Sequence, residues 1–293
     1  PEIKADIQEL FPEHSVAVQK EPLGTADAVM CGMGMIDKNV EANILILLAD
    51  MPLISAASLK DLMNKQDLKS DVSISILAAE FPKDNIPDFG RMVLDNNRLL
   101  EEIIEHKDAS NEQKDINLCN TGAIFIEAQT LREYVRKITN ENAQNEFYLT
   151  DLPKIAAKNG IRTSISVLND YRESMGVNSR EDLCKMEEYV QEITRKNAVD
   201  SGVTLIMPET IYISKGAEFG QDVVIEPHVY IGKDVKIGNS AHIKSFSYIE
   251  GANIDEGAVI GPFARIRPQS TIGKNCKIGN FVEVKNSVLG EGV

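Results

Sequence analysis

The chain contains no tryptophan, and aromatic residues make up only 5% of its 293 positions, so stacking on aromatic platforms is not a main theme of its chemistry. Cysteine is sparse too. Cys31, Cys119, Cys184 and Cys276 are widely scattered and form no C-x-x-C pair, which excludes a disulfide framework or a zinc ribbon and fits reduced thiols in a cytoplasmic protein. The histidines, His14, His106, His228 and His242, have no partners at metal-ligand spacing and read as ordinary residues. No apolar run approaches the ~20 residues of a membrane helix, and no basic segment leads an apolar one as in a signal peptide. Basic residues are outnumbered 31 to 45, for a net charge of -14. That balance argues against nucleic acid as a partner. It leaves room for a nucleotide, whose phosphates backbone N–H groups and a metal ion can hold.

What the chain does have is a six-residue beat. Ile213, Phe219, Ile225, Ile231, Ile237, Ile243, Ile249, Ile254, Ile260, Ile266, Ile272, Ile278 and Val284 follow one another six apart, with one five-residue step from Ile249 to Ile254. A second short step runs from Val284 to Leu289. This is the signature of a parallel β-helix in which each hexapeptide forms one flat face of a coil. The apolar residue should point inward and stack on its equivalents, with the glycine of the frequent Ile-Gly pairs freeing the backbone at the corner. The short steps read as skips at corners.

Residues 1–178 read as an α/β unit. The run from Ala42 to Asp50 is continuous and aliphatic, which predicts a strand buried on both faces of a parallel sheet. Ser55 can cap a helix with Leu59, Leu62 and Met63 on its inner face. Leu131, Tyr134, Val135 and Ile138 have helical spacing, and another helix is expected from Thr150 and Asp151, with Pro153 in its first turn, to Asn159 and Gly160. Alternating strands and helices argue for a doubly wound sheet with ligands beyond the strand ends. Residues 179–198, without glycine or proline, predict a helix linking this domain to the β-helix of residues 199–293.

The segment Gln19 to Ala28 carries Gly24 and Thr25 between a short expected strand, Ser15 to Val18, and an alanine-rich helix that Thr25 would cap. It can be a ligand loop or a plain strand–turn–helix junction. Asp50, ending its strand, can coordinate Mg²⁺ or simply form a turn before Pro52. Gly90, Glu105 and the Asn120-Thr-Gly122 turn are each weak signals alone.

Their order is the strong signal. Gln-x-x-x-x-Gly-Thr-Ala-x-Ala, Ala-Asp-x-Pro-Leu, Phe-Gly-Arg, Glu-His-Lys-Asp-Ala, Asn-Thr-Gly, Asn-Ala-Gln-x-Glu-x-Tyr-x-Thr-Asp and Gly-Val-Asn-Ser-Arg lead into the hexapeptides and the segment Gly261 to Pro268. The whole series resembles the bacterial GlmU family, bifunctional N-acetylglucosamine-1-phosphate uridyltransferases and glucosamine-1-phosphate acetyltransferases. The resemblance implies a Rossmann-like nucleotidyltransferase domain followed by a left-handed β-helix, in a cytoplasmic homotrimer without nucleic acid or membrane partners. It implies that Gln19, Gly24 and Thr25 hold uracil, with Leu48 and Ala49 beside the nucleotide. Asp50 and Asn178 would bind Mg²⁺. Gly90, Glu105, Asn120 and Asn178 would meet the sugar, with Tyr148 and Thr150 nearby, and Arg267 and Lys285 would bind the sugar phosphate for acetyl transfer. UTP, N-acetylglucosamine-1-phosphate, glucosamine-1-phosphate and acetyl-CoA are the implied substrates.

The departures from the family pattern matter as well. Ala49 replaces the glycine usual before the acid. The family's glycine-rich phosphate loop has no counterpart, and no acetyltransferase base follows Lys285, so catalytic residues are expected in segments on either side and little activity from this stretch alone. The chain opens at Pro1 and stops at Val293 within a repeat, which reads as cut at both ends. A monofunctional sugar-1-phosphate nucleotidyltransferase with a β-helix used for assembly, and a non-enzymatic trimerising remnant, are the rival readings.

Overall fold

A computed structural model describes residues 4–39, 41–66 and 72–293. Contacts divide the chain into two compact units, Pro1–Val177 and Asn178–Val293.

The first unit carries helix α1 (Lys4–Leu10), helix α2 (Thr25–Met33), strand β1 (Asn43–Ile46), helix α3 (Ala56–Asn64), strands β2 (Val72–Glu80), β3 (Arg91–Leu94) and β4 (Leu100–Ile104), and a short helix α4 (Asn111–Lys114). Strand β5 (Leu118–Glu127), helices α5 (Ala128–Tyr134) and α6 (Leu152–Ala157) and strand β6 (Arg162–Val167) complete it. The six strands form one mixed sheet in the order β1-β5-β2-β6-β4-β3. β2 runs parallel to β6 and antiparallel to β5. Two apolar layers pack on the sheet, one around Ile74, Ile76, Ile124 and Leu131, the other around Leu62, Leu77, Ala123 and Phe125. Ser55 caps α3 as its sequence suggests, accepting from Ser58 N at 3.1 Å.

Three local expectations are corrected. The aliphatic run from Ala42 is a strand only over Asn43–Ile46, antiparallel to β5 and at the end of the strand order. Leu47 and Leu48 are 44% and 41% exposed, so the run is not buried on both faces; apolarity marks a strand but not its place in the sheet. No strand forms over residues 15–18, and α2 is capped by Gly24, with Thr25 as its first helical residue.

The second unit begins with α7 (Arg180–Asp200), the helix expected over 179–198, capped by Ser179 through a 3.1 Å bond from Asp182 N. Behind it, among the described residues, three parallel five-stranded sheets are built from two- and three-residue strands, from Thr204–Leu205 to Val288–Leu289. Val224 faces His242 three hexapeptides on, whereas His242 faces Val259, one residue short of that. The short coil is the one that contains the five-residue step, and Thr271 facing Val288 marks the second. The inward residues form a single core column in which Ile225, Ile231, Ile243, Ile249, Ile260, Ile266 and Ile272 are fully enclosed. Each contributes roughly 1.5–3 kcal/mol by leaving water.

Of the Ile-Gly pairs Gly261 has a positive φ, 88°, as expected, whereas Gly232, Gly238, Gly273 and Gly279 work differently. From Phe219 to Val284 the left-handed corner falls three residues before each inward residue. Gly216, Gly251 and Gly257 hold three of these corners, and Asp222, His228, Asp234, Ser240, Phe246, Phe263, Gln269, Asn275 and Phe281 hold the others with φ between 54° and 63°. Gly238 instead lets the next coil approach: a Cβ there would sit 2.7 Å from Glu256 N.

Candidate active site

The residues singled out in the first unit are joined by a continuous series of contacts. It begins at the turn before α2. Gln19 Nε2 donates to the Gly24 carbonyl at 3.1 Å and to Asp27 Oδ2 at 2.7 Å. Both partners are acceptors, so both amide hydrogens are used and Gln19 Oε1 is left to accept from a ligand. Gly24 has φ 116°, and a Cβ on it would meet the Phe147 backbone at 2.6–3.0 Å. Its close approach is therefore to the chain itself.

The segment that presses on Gly24 ties the turn to the next group. Phe147 N donates to the Leu23 carbonyl at 2.8 Å, Ala26 N to the Phe147 carbonyl at 2.9 Å, and Leu149 N to Thr25 Oγ1 at 3.0 Å. One residue further on, buried Thr150 donates from Oγ1 to Glu105 Oε1 at 2.7 Å. Burial raises the Glu105 carboxyl above its ordinary value; the Thr150 bond works against this, and Asp108 and Asp151 reinforce it. Tyr148 is pushed up to about 12 by burial and the acids around it, so its hydroxyl stays protonated and donates to Gln144 Oε1 at 2.8 Å.

Glu105 directly follows β4, beside Gly90. A Cβ on Gly90 would lie 2.8 Å from Ile103 Cγ2 and 3.6 Å from both Glu105 oxygens, so only glycine keeps that wall flat. Asn120 N donates to the Gly90 carbonyl at 2.8 Å, and Asn120 Oδ1 accepts from Gly122 N at 3.0 Å. With its oxygen held, the Asn120 amide has N–H groups to offer. Gly122, at φ 84°, gives room to Leu48, whose Cδ1 would sit 2.6 Å from a Cβ there. Leu48, exposed Ala49 and half-buried Asp50 follow in the turn after β1. Val177 N closes the series on the Asp50 carbonyl at 2.8 Å. Among the described residues no side chain bonds the Asp50 carboxylate.

Asn178, Arg267 and Lys285 belong to the second unit. Asn178 is exposed and its N–H donates to Asp182 Oδ2 at 3.2 Å. Arg267 and Lys285 lie one step beyond the paired Ile266 and Val284, which puts the two cations on adjoining coils. Arg267 is already engaged by Glu283 at 3.1 Å. His106 has more partners than its spacing suggested, contacting both Arg91 and Asp88. The available signal was its position next to Glu105.

Among the described residues no cluster of three or more His, Cys, Asp or Glu could hold a metal alone, and no helix is long and apolar enough to cross a membrane. Residues 2–172 match the nucleotidyl transferase family, and residues 216–251 and 251–286 match the bacterial transferase hexapeptide repeat. Similar proteins include a bifunctional protein GlmU from Zymomonas mobilis, 39% identical over 238 residues, covering 81% of this chain and 52% of that protein. Others from Hyphomonas neptunium and Sphingopyxis alaskensis are 36% and 38% identical, over 84% and 82% of this chain and 52% of each relative. The chain thus spans about half the length of the curated relatives it matches.

Proposed function

This chain belongs to the nucleotidyl transferase family, with bacterial transferase hexapeptide repeats behind that domain, and from this premise we propose that it is part of a bifunctional enzyme of the GlmU type. Its first unit takes part in uridylyl transfer from UTP to N-acetylglucosamine-1-phosphate. Its β-helix belongs to the half that acetylates glucosamine-1-phosphate from acetyl-CoA, in a cytoplasmic homotrimer. The observation that carries the first assignment is the unbroken run of contacts from Gln19 through Thr25, Thr150, Glu105 and Gly90 to Asn120.

In uridylyl transfer the sugar phosphate attacks the α-phosphorus of UTP and pyrophosphate leaves. No covalent protein nucleophile is needed, because positioning and charge neutralisation supply the rate. Gln19 offers an acceptor to the imide N–H of uracil, having spent its donors on Gly24 and Asp27. Gly90 keeps the wall flat for a sugar ring, while Glu105, held by Thr150, and Asn120 bond sugar hydroxyls. Mg²⁺ fits the donor chemistry, since it takes one or two protein oxygens alongside phosphate oxygens and the Asp50 carboxylate is unspent. When bound, the ion would neutralise phosphate charge. Asp50 would hold it, with Asn178 the second ligand implied by the family resemblance. Arg267 and Lys285, on adjoining coils, form a cationic pair suited to a sugar phosphate on an otherwise acidic chain.

Calorimetric titration of the chain with UDP-N-acetylglucosamine and with UMP, in Mg²⁺ and in EDTA, tests the first assignment. Binding should favour uridine over cytidine nucleotides, and Gln19→Ala should weaken UMP by about tenfold. Asp50→Asn should remove the dependence on Mg²⁺. Equal affinity for cytidine and uridine nucleotides, or no binding of either, overturns it.

A further inference from the structure

Arg91 lies on β3 and is only 1% exposed, the bulkiest of the fully buried side chains. Among the described residues no carboxylate contacts it. Its Nη1 donates to the carbonyls of Pro87 at 2.8 Å and Phe89 at 2.6 Å, and its Nε to the Lys114 carbonyl at 3.2 Å. Nη1 also lies 3.6 Å from Cys119 Sγ, and Nη2 lies 3.3 Å from His106 Nδ1. Burial holds the Cys119 thiol above its ordinary value despite Arg91, so the thiol supplies no counter-charge.

A guanidinium can only donate, so His106 Nδ1 must accept and the imidazole proton sits on Nε2. That nitrogen is 3.2 Å from Asp88 Oδ1, and Asp88 is largely exposed. The buried cation is thus linked through a neutral imidazole to a solvated carboxylate. Packing alone does not require this, because an apolar side chain of similar volume fills a core at no greater cost. What only the guanidinium supplies is a rigid fork of donors with fixed directions.

The placement of its partners gives the fork a purpose. Phe89 precedes Gly90, His106 follows Glu105, and Cys119 precedes Asn120. Gly90, Glu105 and Asn120, the first-unit residues assigned to the sugar, are each one position from a group that Arg91 holds. β3 joins the same strands by register, with Arg91 opposite Ile104 on β4 and opposite Cys119 on β5. We propose that Arg91 and His106 are positioning residues that together set the sugar-contacting wall of Gly90, Glu105 and Asn120. This rests on the uridylyltransferase reading and deepens it: the relay serves sugar recognition and leaves the uracil end untouched.

Because Arg91→Met risks the fold, the test is made at His106, with His106→Ala and His106→Gln. The glutamine amide can still accept from Arg91 and donate to Asp88. Two quantities are read in each protein: the titration of the Glu105 carboxyl by carbon NMR, and the calorimetric affinities for UDP-N-acetylglucosamine and UMP. In His106→Ala the Glu105 titration should move and the sugar nucleotide should bind about tenfold more weakly, with UMP affinity within about twofold of native. His106→Gln should restore both. An unmoved Glu105, an equal loss for both ligands, or no recovery with glutamine overturns the proposal while leaving the uridylyltransferase reading standing. A native chain that binds neither ligand overturns that reading, and the positioning role falls with it.

Discussion

Glu105 shows how a binding role opposes stability at a single residue. Its carboxyl is raised in the folded chain by burial and by Asp108 and Asp151. A raised folded value means that its contribution to stability is full below the ordinary carboxyl range and is lost as pH rises through the folded value. Wherever the Glu105 carboxyl is ionised, the folded protein bears the cost of a half-buried charge. Glu105→Gln keeps an acceptor for Thr150 and removes that charge, so it should raise the melting temperature at neutral pH while weakening sugar-nucleotide binding. The gain should vanish near pH 4, where the native carboxyl is protonated. Paired thermal melts at the two pH values check this, and a gain of equal size at both would refute the assigned cause. His106 carries the complementary lesson. Spacing along the chain gave it no partner, whereas its hydrogen-bond partners Arg91 and Asp88 are brought to it by the pairing of β3 with β4.

Between elements, α7 meets the first coils through Arg195, whose Nη1 donates to the Ile211 carbonyl at 3.2 Å, and through the side-chain amide of Gln191. Gln191 is buried, donates from Nε2 to the Ile213 carbonyl at 3.0 Å, and accepts from Ile213 N at 3.0 Å. It thus stands in for a neighbouring strand at the start of the column, where a coil would otherwise leave its backbone unpaired. Gln191→Ala should cost on the order of 2 kcal/mol or more, since two buried backbone groups lose their partner. Gln191→Glu should be no better, because it cannot donate and it faces Glu187, now bonded to the amide at 3.3 Å. Denaturant midpoints of the β-helix transition measure both, and a neutral Gln191→Ala would show that water replaces the amide freely. The same scale explains the glycine correction. Six-residue spacing tells which residue points inward, but the corner residue is set by where the backbone turns. Asp, Asn, Ser, His, Gln and Phe all serve there.

Across the whole chain, the two units have separate cores. The β-helix column runs from Ala198 to Val284, and the two layers of the first unit draw on residues 26–168. Calorimetry should therefore resolve two unfolding transitions. UDP-N-acetylglucosamine at about a hundredfold its Kd should stabilise chiefly the first unit, which carries Gln19, Gly90, Glu105 and Asn120, by about 2.7 kcal/mol, moving that transition by roughly 5 °C or more. A single transition displaced as one by the ligand would show that the units unfold together.

The sequence by itself determined the β-helix down to its two short coils, because each large aliphatic residue must stack on its equivalents in the coils above and below, which leaves no freedom over the register of each six. It also determined which residues of the first unit to examine, through the order of short motifs. Tertiary structure alone decided how those residues meet. Asn120 reaches Gly90, and Thr150 reaches Glu105, through partners far along the chain. The aliphatic run before Asp50 likewise became an antiparallel strand paired with β5. Periodicity reports a residue's immediate surroundings, whereas strand order and long-range hydrogen bonds are set by the competition of all strands for partners.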